Sequence, residues 1–546
     1  MDICRTHGSH VLHPTMGSLA RRASVKALME TLSMLGHKGT SPSSFCKEGC
    51  LKHQQQGREA RRAVGLGTVE LGFSHCQLNR ELAVMSSLLR CSGVAIILAV
   101  AVFIGDYLFA QSARQTDLQR ESDVALASSD KVLPSSSDWS KFRGDLLNTG
   151  YSTSHVSRAP TVAWSTKIPG AREYWSSPTV LKDKMYVGNS NGWLYCLNAT
   201  TGDLVWSFDG LSHSIFSTPA VADNTVYFGA ADRKIYALPT DDPNADGIIS
   251  ANEILWDYTV GPSTGGVNDV IPSSPAFKDG KLFIGAIDQY FYCFDAKSGE
   301  VFWKTWTPYH GQHAFSSSPA IYKGRVFAAT GNQPNRSSSG RLYCFDETTG
   351  GILWEFDIDD ITYSSPVIDR DRDRVIIANS GDWIANSGNK TYRMYALAAE
   401  GSVEGIDQGE SDPHLGGSDL IWSVDTQRYV YSSPAIHQDR LFFGGSDGYF
   451  RCVDAETGKL VWYFDTPART TGIMGSPAIA DGMVFFGTSD GRLVAAPEQD
   501  PNNDGVITPD EIVWTHQTRG KIVGSPTIAN GAIYLGSGDG VMYCFK

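Results

Sequence analysis

The 546-residue chain has no Cys-Cys dipeptide and no Cys-x-x-Cys-His motif. The first absence removes a disulfide between adjacent cysteines, and the second removes covalent haem attachment. A complete disulfide framework is missing as well. Of the ten cysteines, Cys4, Cys46, Cys50, Cys76 and Cys91 lie upstream, while Cys196, Cys293, Cys344, Cys452 and Cys544 each occupy one position of a repeat. Three further copies carry Ala237, Ala396 and Ala495 there, so the position takes a small packed residue, a role free cysteine fills well. Positive charge is also short, with 46 basic against 59 acidic residues. Because residues 1–84 are themselves basic, the acid excess falls on the remainder, which argues against a phosphate-binding surface and a nucleic-acid partner. The apolar run Val94–Ile104 is too short to span a bilayer comfortably.

Residues 1–84 are rich in Ser, Gly and Arg and show no sustained period of 2 or 3.6, so they read as a disordered or non-native extension. From Met85 the chain has the layout of a secretory signal: Arg90, the apolar run, then Ala110 and Ala113. Met85 is the expected start, and 85–113 is a signal peptide or an uncleaved signal anchor; both export the body, to the periplasm or cell envelope or beyond it. Residues 114–137 form a polar linker. The aromatic and basic stretch Asp138–Asp145 is expected to dock on the body that follows.

That body is a repeat. Cys452–Trp462 (CVDAETGKLVW) recurs as Cys196–Trp206, Cys293–Trp303 and Cys344–Trp354, each preceded by three short apolar segments separated by turn residues. A Ser/Thr/Gly-Ser/Thr-Pro triplet opens every unit, ending at Pro178, Pro219, Pro275, Pro319, Pro366, Pro434, Pro477 and Pro526. Four strands per period of about 40–50 residues is the signature of a β-propeller. The sequence therefore predicts an all-β, eight-bladed propeller over 138–546, with blades starting near 174, 215, 271, 314, 362, 430, 472 and 522. Seven units end on Trp206, Trp256, Trp303, Trp354, Trp422, Trp462 and Trp514, but the eighth stops at Lys546 before its fourth strand. Residues 161–164, ending on Trp164, are expected to supply that strand and so close the ring.

The small residue, the Asp or Asn two positions on, the Thr/Ser-Gly turn and the Trp together resemble the tryptophan-docking repeat of the PQQ-like (pyrroloquinoline-quinone) β-propeller superfamily. That superfamily includes quinoprotein alcohol dehydrogenases and the non-catalytic propeller of the bacterial outer-membrane β-barrel assembly machine. The resemblance implies that Trp462 packs on Cys452 and on a glycine of a neighbouring repeat. It also implies, for a dehydrogenase, a disulfide between adjacent cysteines against the cofactor, which this chain lacks. The non-catalytic members are therefore the nearer comparison, and PQQ is a cofactor only under the alternative reading.

Two twelve-residue stretches carry the clearest chemistry. Asp242, Asn244, Asp246, the carbonyl of Ile248 and Glu253 fit an EF-hand-like calcium loop, as do Asp500, Asn502, Asp504, the carbonyl of Val506 and Glu511, each with glycine at the sixth position. Strands flank both loops, so the expectation is a structural Ca²⁺ clip. Three Gly-x-Ser-x-Gly matches (188–192, 444–448, 487–491) lie between strands and lack the strand-to-helix setting of a nucleophile elbow. His310, His313, Arg172 and Arg428 are candidates for binding a ligand at the channel mouth, beside Glu173, His213, Asp269, Asp359, Asp360, Arg469 and Arg519. No catalytic residue is assigned. The function expected is a calcium-stabilised binding or assembly scaffold for a protein or small ligand. The alternatives are a PQQ-dependent oxidoreductase and a polysaccharide binder using Trp175, Trp193, Trp306 or Trp383 as stacking platforms.

Overall fold

A computed structural model of the protein describes residues 138–546 except 169–172, 209–210, 212, 263–270, 308–312, 333–339, 359–361, 381–391, 402–418 and 467–471. Eight antiparallel sheets follow one another along the chain, as a propeller requires. Blade 1 is typical: Thr179–Leu181, Lys184–Gly188, Leu194–Asn198 and Leu204–Phe208 pair in that order. The first strands of neighbouring blades pack side by side, which places them innermost. Strands such as Met483–Gly487 are buried at every position because each sheet packs blades on both faces. Two sheets gain a strand: His313–Phe315 joins blade 4, and Val506–Ile507 joins blade 6 from the following unit. In the last sheet, Val162–Lys167 lies antiparallel to Val541–Phe545, with Trp164 opposite Cys544.

The Ser/Thr before each proline does more than mark a strand start. Its hydroxyl accepts the backbone N–H of the equivalent residue in the preceding blade. Ser177 donates to Thr218 (3.2 Å), Thr218 to Ser274 (2.9 Å), Ser274 to Ser318 (3.0 Å) and Ser318 to Ser365 (2.9 Å). The series continues from Ser365 to Ser433, Ser433 to Ser476 and Ser476 to Ser525, each 2.9 Å, and Ser525 returns to Ser177 at 3.0 Å. All eight residues are buried, so each N–H depends on this partner.

At the periphery, tryptophan joins each blade to the next. The indole N–H of Trp164, Trp206, Trp256, Trp303, Trp422 and Trp462 donates to Ala199, Thr240, Ala296, Glu347, Ala455 and Glu498 carbonyls at 2.9–3.3 Å. The turn glycine lies against the ring: a Cβ on Gly458 (φ +70°) would come within 2.8 Å of Trp422. Trp462 stands opposite Cys452 in the ladder, but the glycine expected beside it is replaced in blade 7 by the longer Asp500 loop. Trp354 differs: among the described residues its buried indole N–H has no partner. The five cysteines of the body are buried and outside any disulfide, as packing residues should be.

Removing one ring hydroxyl strands a buried N–H, which costs about 1–3 kcal/mol. Ser365→Ala should therefore destabilise the protein by about that amount, measured by urea unfolding. Thr200→Ala, on an exposed turn, should change it by less than about 0.5 kcal/mol.

Candidate functional site: a plugged channel with an aromatic collar

One end of the central channel is filled by the chain itself. Residues 139–152 run beneath the innermost strands, exchanging backbone hydrogen bonds with blades 1, 2, 4, 5, 6 and 7 in turn. Trp139 and Val180 bond reciprocally at 2.8 Å, and Val221, Ile321, Ile368, Ile436 and Ile479 donate to Ser140, Leu146, Leu147, Thr149 and Gly150. Two side chains of this plug reach the proline carbonyls. Arg143 donates to Pro434 (2.9 Å) and Pro477, while the Asn148 amide donates to Pro319 (3.2 Å) and Pro366 (3.0 Å). Where the plug offers no such donor, the chain supplies threonine: Thr179 and Thr527 donate to Pro219 and Pro178, both at 2.6 Å. Gly150 (φ +68°) is required here, since a Cβ would lie 2.1 Å from the Arg143 guanidinium.

Lys141 completes the plug, donating to the Phe142 carbonyl (2.8 Å), the Asp145 carbonyl (2.6 Å) and Asn148 Oδ1 (2.7 Å). Burial outweighs the nearby Asp145 carboxylate and lowers its pKa to about 7; the same burial works against the Arg143 charge.

The other end carries a collar. The residue three before each proline is only partly buried in all eight blades, although its neighbours on both sides are buried. In order these residues are Trp175, Phe216, Pro272, Ser316, Tyr363, Tyr431, Met474 and Val523. Trp175 and Phe216 meet edge to face at 5.7 Å, and Tyr363 and Tyr431 lie 6.0 Å apart. Lys521 sits over Trp175 (5.3 Å) and pairs with Glu173 (3.1 Å), whose carboxylate also accepts the Trp175 indole N–H at 3.0 Å.

Of the residues the sequence singled out, Glu173 belongs to this cluster. His213, Arg428 and Arg519 are exposed on their loops, and His313 opens its added strand. Arg172, Asp269, His310, Asp359, Asp360, Trp383 and Arg469 lie outside the described residues. Among the platform candidates, Trp175 faces the mouth and Trp193 stacks on Tyr195 at 5.8 Å. Trp306 stands 53% exposed at the end of the outermost strand of blade 3. The collar and the plug contacts escaped the sequence reading. Aligning the repeats on their prolines would have exposed the collar position, whereas nothing local marks the plug's partners. Thiol chemistry is remote from the mouth: burial pushes Cys196 and Cys293 up to about 12 and Cys544 to about 11, and raises Cys344 and Cys452 further.

The two acidic loops fold alike. Asp242 accepts the N–H of Asn244 (3.2 Å) and Gly247 (2.6 Å), Asn244 that of Asp246 (2.9 Å), and Asp246 that of Ile248 (2.9 Å). Asp500, Asn502 and Asp504 repeat the pattern. Glu253 and Glu511 fold back onto the N–H of Ser250 and Thr508, both at 2.8 Å, in a capping box on a single 3₁₀ turn. Each loop then reaches the outermost strand of the preceding blade: Ser207 bridges Ile248, and Tyr463 pairs with Val506, both parallel. Ile249 and Ile507 are buried in those seams. Among the described residues no group of three or more His, Cys, Asp or Glu side chains is arranged to hold a metal.

The plug gives stability a pH signature. Folded Lys141 loses its proton near pH 7, while the unfolded chain keeps it to about 10.4. Between these values the unfolded state binds more protons, so this lysine makes stability rise with pH from about 7 to 10. Lys141→Met should flatten that rise in urea midpoints measured across the range; an unchanged slope would contradict the assignment.

Residues 154–246, 245–387 and 399–503 match the family described as outer membrane protein assembly factor BamB. The chain is 25% identical to a polyvinylalcohol dehydrogenase of a Pseudomonas species over 432 residues, 59% of this chain and 65% of that protein. It is 23% identical to the outer membrane protein assembly factor BamB of Salmonella typhimurium, over 55% of this chain and 80% of that protein. Of several quinone-type relatives it spans about a third, for example 35% of the quinohemoprotein alcohol dehydrogenase of Comamonas testosteroni. The crystal structure of the latter superposes with a TM-score of 0.55 at 16% identity, covering 75% of this chain and 80% of that one, a likeness of fold. The chain is a PQQ-like propeller and belongs to the family described as outer membrane protein assembly factor BamB.

Proposed function

We propose that the chain is an exported binding or assembly scaffold at the cell envelope that takes a protein or small ligand at the collared mouth. The observation supporting this is the channel itself: the plug fills one end, and the collar surrounds the other with partly exposed aromatic side chains. A blind, aromatic-lined mouth is where a propeller binds a partner. Similarity to an assembly factor and to several dehydrogenases fits a shared propeller with divergent sites. Export through residues 85–113 belongs to this proposal.

A second reading, a PQQ-dependent oxidoreductase, draws on the dehydrogenase relatives and on the Trp175 platform. The described collar does not fit a planar tricarboxylate. Lys521, the cation over Trp175, is already held by Glu173, and the cysteines of the body are buried. Reconstitution with PQQ and Ca²⁺ should therefore give neither cofactor absorbance nor dye-linked alcohol oxidation. Turnover in that assay would replace the scaffold reading with the oxidoreductase.

The acidic loops are proposed as Ca²⁺ clips. Their oxygen donors suit a hard cation, and among the described residues no lysine or arginine pairs with Asp242, Asp246, Glu253, Asp500, Asp504 or Glu511. Val162–Lys167 is proposed as the strand that seals the ring against Val541–Phe545. Thermal melts address both ideas. Ca²⁺ should raise the melting temperature and chelation reverse it, and deletion of residues 155–168 should lower it. A melt indifferent to Ca²⁺ would refute the clips, and a deletion without effect would refute the closure.

A further inference from the structure

Two blades show what the outer edge of a blade takes. In blade 1 the Ser207 N–H donates to the Gly247 carbonyl (3.1 Å), and the Ile249 N–H returns to the Ser207 carbonyl (2.8 Å). In blade 6 the Tyr463 N–H donates to the Gly505 carbonyl at 3.2 Å. Each time an extended piece of the following blade's acidic loop lies parallel to the outermost strand, centred on the residue after the docking tryptophan. The equivalent residue in blade 3 is Lys304, on the strand Val301–Trp306. Blade 4 does not reach it, because residues 347–351 make a short turn where blades 2 and 7 have the long loops 240–255 and 498–513. Among the described residues no backbone group bonds to Phe302, Lys304 or Trp306 along the free side of this strand.

The side chains of this edge set it apart from the others. Three positions after the docking tryptophan, the other seven blades carry a polar or charged residue, aspartate in four of them (Asp209, Asp357, Asp425 and Asp465). Charge at such a position keeps an open edge from pairing with another chain. Blade 3 has Trp306 there, 53% exposed. Lys304 is the one cation at its own position across the eight blades. Its ammonium lies over the rings of Tyr290 (4.8 Å) and Tyr292 (5.8 Å), and among the described residues no carboxylate pairs with it. Tyr290 stands opposite Trp306 and Tyr292 opposite Lys304 in the ladder, so the cation is framed by aromatic rings. A strand added to this edge would set every second side chain beside Lys304 and then Trp306. The complement is a carboxylate at the first position and an apolar residue two further on, since opposite charges and aromatic-apolar pairs stabilise neighbouring strands. A second copy of this chain pairing through the same edge would bring two Lys304 cations together and offer neither a carboxylate.

We infer that the outer edge of blade 3 is a second interaction surface, which takes an extended acidic and apolar peptide segment as a parallel fifth strand along Val301–Trp306. The mode is strand addition, with backbone bonds giving affinity and alternate side chains giving specificity. It goes beyond the reading of the mouth and is independent of it. Isothermal titration of the full chain tests it with a capped Thr-Val-Thr-Glu-Thr-Val-Thr peptide. The comparison probes are the same peptide with Lys for Glu, the same peptide with alternate amides N-methylated, and a neutral cello-oligosaccharide. The Glu peptide should bind saturably, the Lys peptide several-fold more weakly, and the N-methylated peptide not at all on at least one of its two faces. Trp306→Ala should weaken the Glu peptide about tenfold. Lys304→Glu should weaken it about fivefold and reverse the preference between the Glu and Lys peptides, with melting temperatures unchanged. Lys459→Glu, on an exposed turn of blade 6, and Trp175→Ala, at the mouth, should bind as the parent does. No binding of the Glu peptide, binding indifferent to Trp306→Ala and Lys304→Glu, or binding lost only in Trp175→Ala would each overturn the inference. Full binding by both N-methylated patterns, or binding of the oligosaccharide alone, would overturn it too.

Discussion

Everything in the ring depends on eight backbone N–H groups that sit where no β-ladder can reach them. They lie just ahead of the innermost strands, each followed by a proline, and the hydroxyl of the equivalent residue in the next blade is their acceptor. The constraint is circular. A hydroxyl that serves one blade comes from a residue whose own N–H is served by the next, and the series returns from Ser525 to Ser177. Small hydroxyl residues are needed because the first strands crowd around the axis, and a longer acceptor would not fit between them.

Two other systems reinforce that circle at different radii. Near the axis, Arg143 and Asn148 satisfy four proline carbonyls, and Thr179 and Thr527 satisfy two more in blades where the plug offers no side-chain donor. At the rim, the tryptophans carry the next-blade contact: burying the indole supplies most of the energy, and its N–H to a carbonyl fixes the register. The acidic loops act at the seams between blades 1 and 2 and between blades 6 and 7, where Ile249 and Ile507 fill the gap behind the outermost strands. The plug turns the resulting channel into a one-ended recess, and the collar is the part of that recess left facing solvent.

Much of this was readable residue by residue. Comparing Cys452 with Ala237, Ala396 and Ala495 identified a packing position, and the structure buries all five body cysteines. The Trp at the end of each unit announced the docking contact, because a bulky apolar residue at a fixed interval needs a fixed partner. The Ser-Pro triplets marked the blades, yet their hydroxyl ring stayed hidden. Ser365 and Ser433 are 68 residues apart, and nothing near either says that one serves the other. Likewise Asp138–Asp145 read as a segment that docks, while the proline carbonyls that receive Arg143 lie 291 and 334 residues downstream. In the acidic loops the donor spacing was legible, but the parallel pairing onto the preceding blade was not.

The sequence by itself determined the strand period, the number of repeats, the packing role of cysteine and the tryptophan dock, because these follow from which residues recur at which interval. Only the tertiary structure decided what lies at the two ends of the channel. An eightfold ring brings together positions that the chain separates by whole blades, so a collar of Trp175 and Phe216 facing Tyr363 and Tyr431, and a plug held by carbonyls of four different blades, exist only once the circle is formed. Local pattern encodes each blade, and the site arises from how the blades face one another.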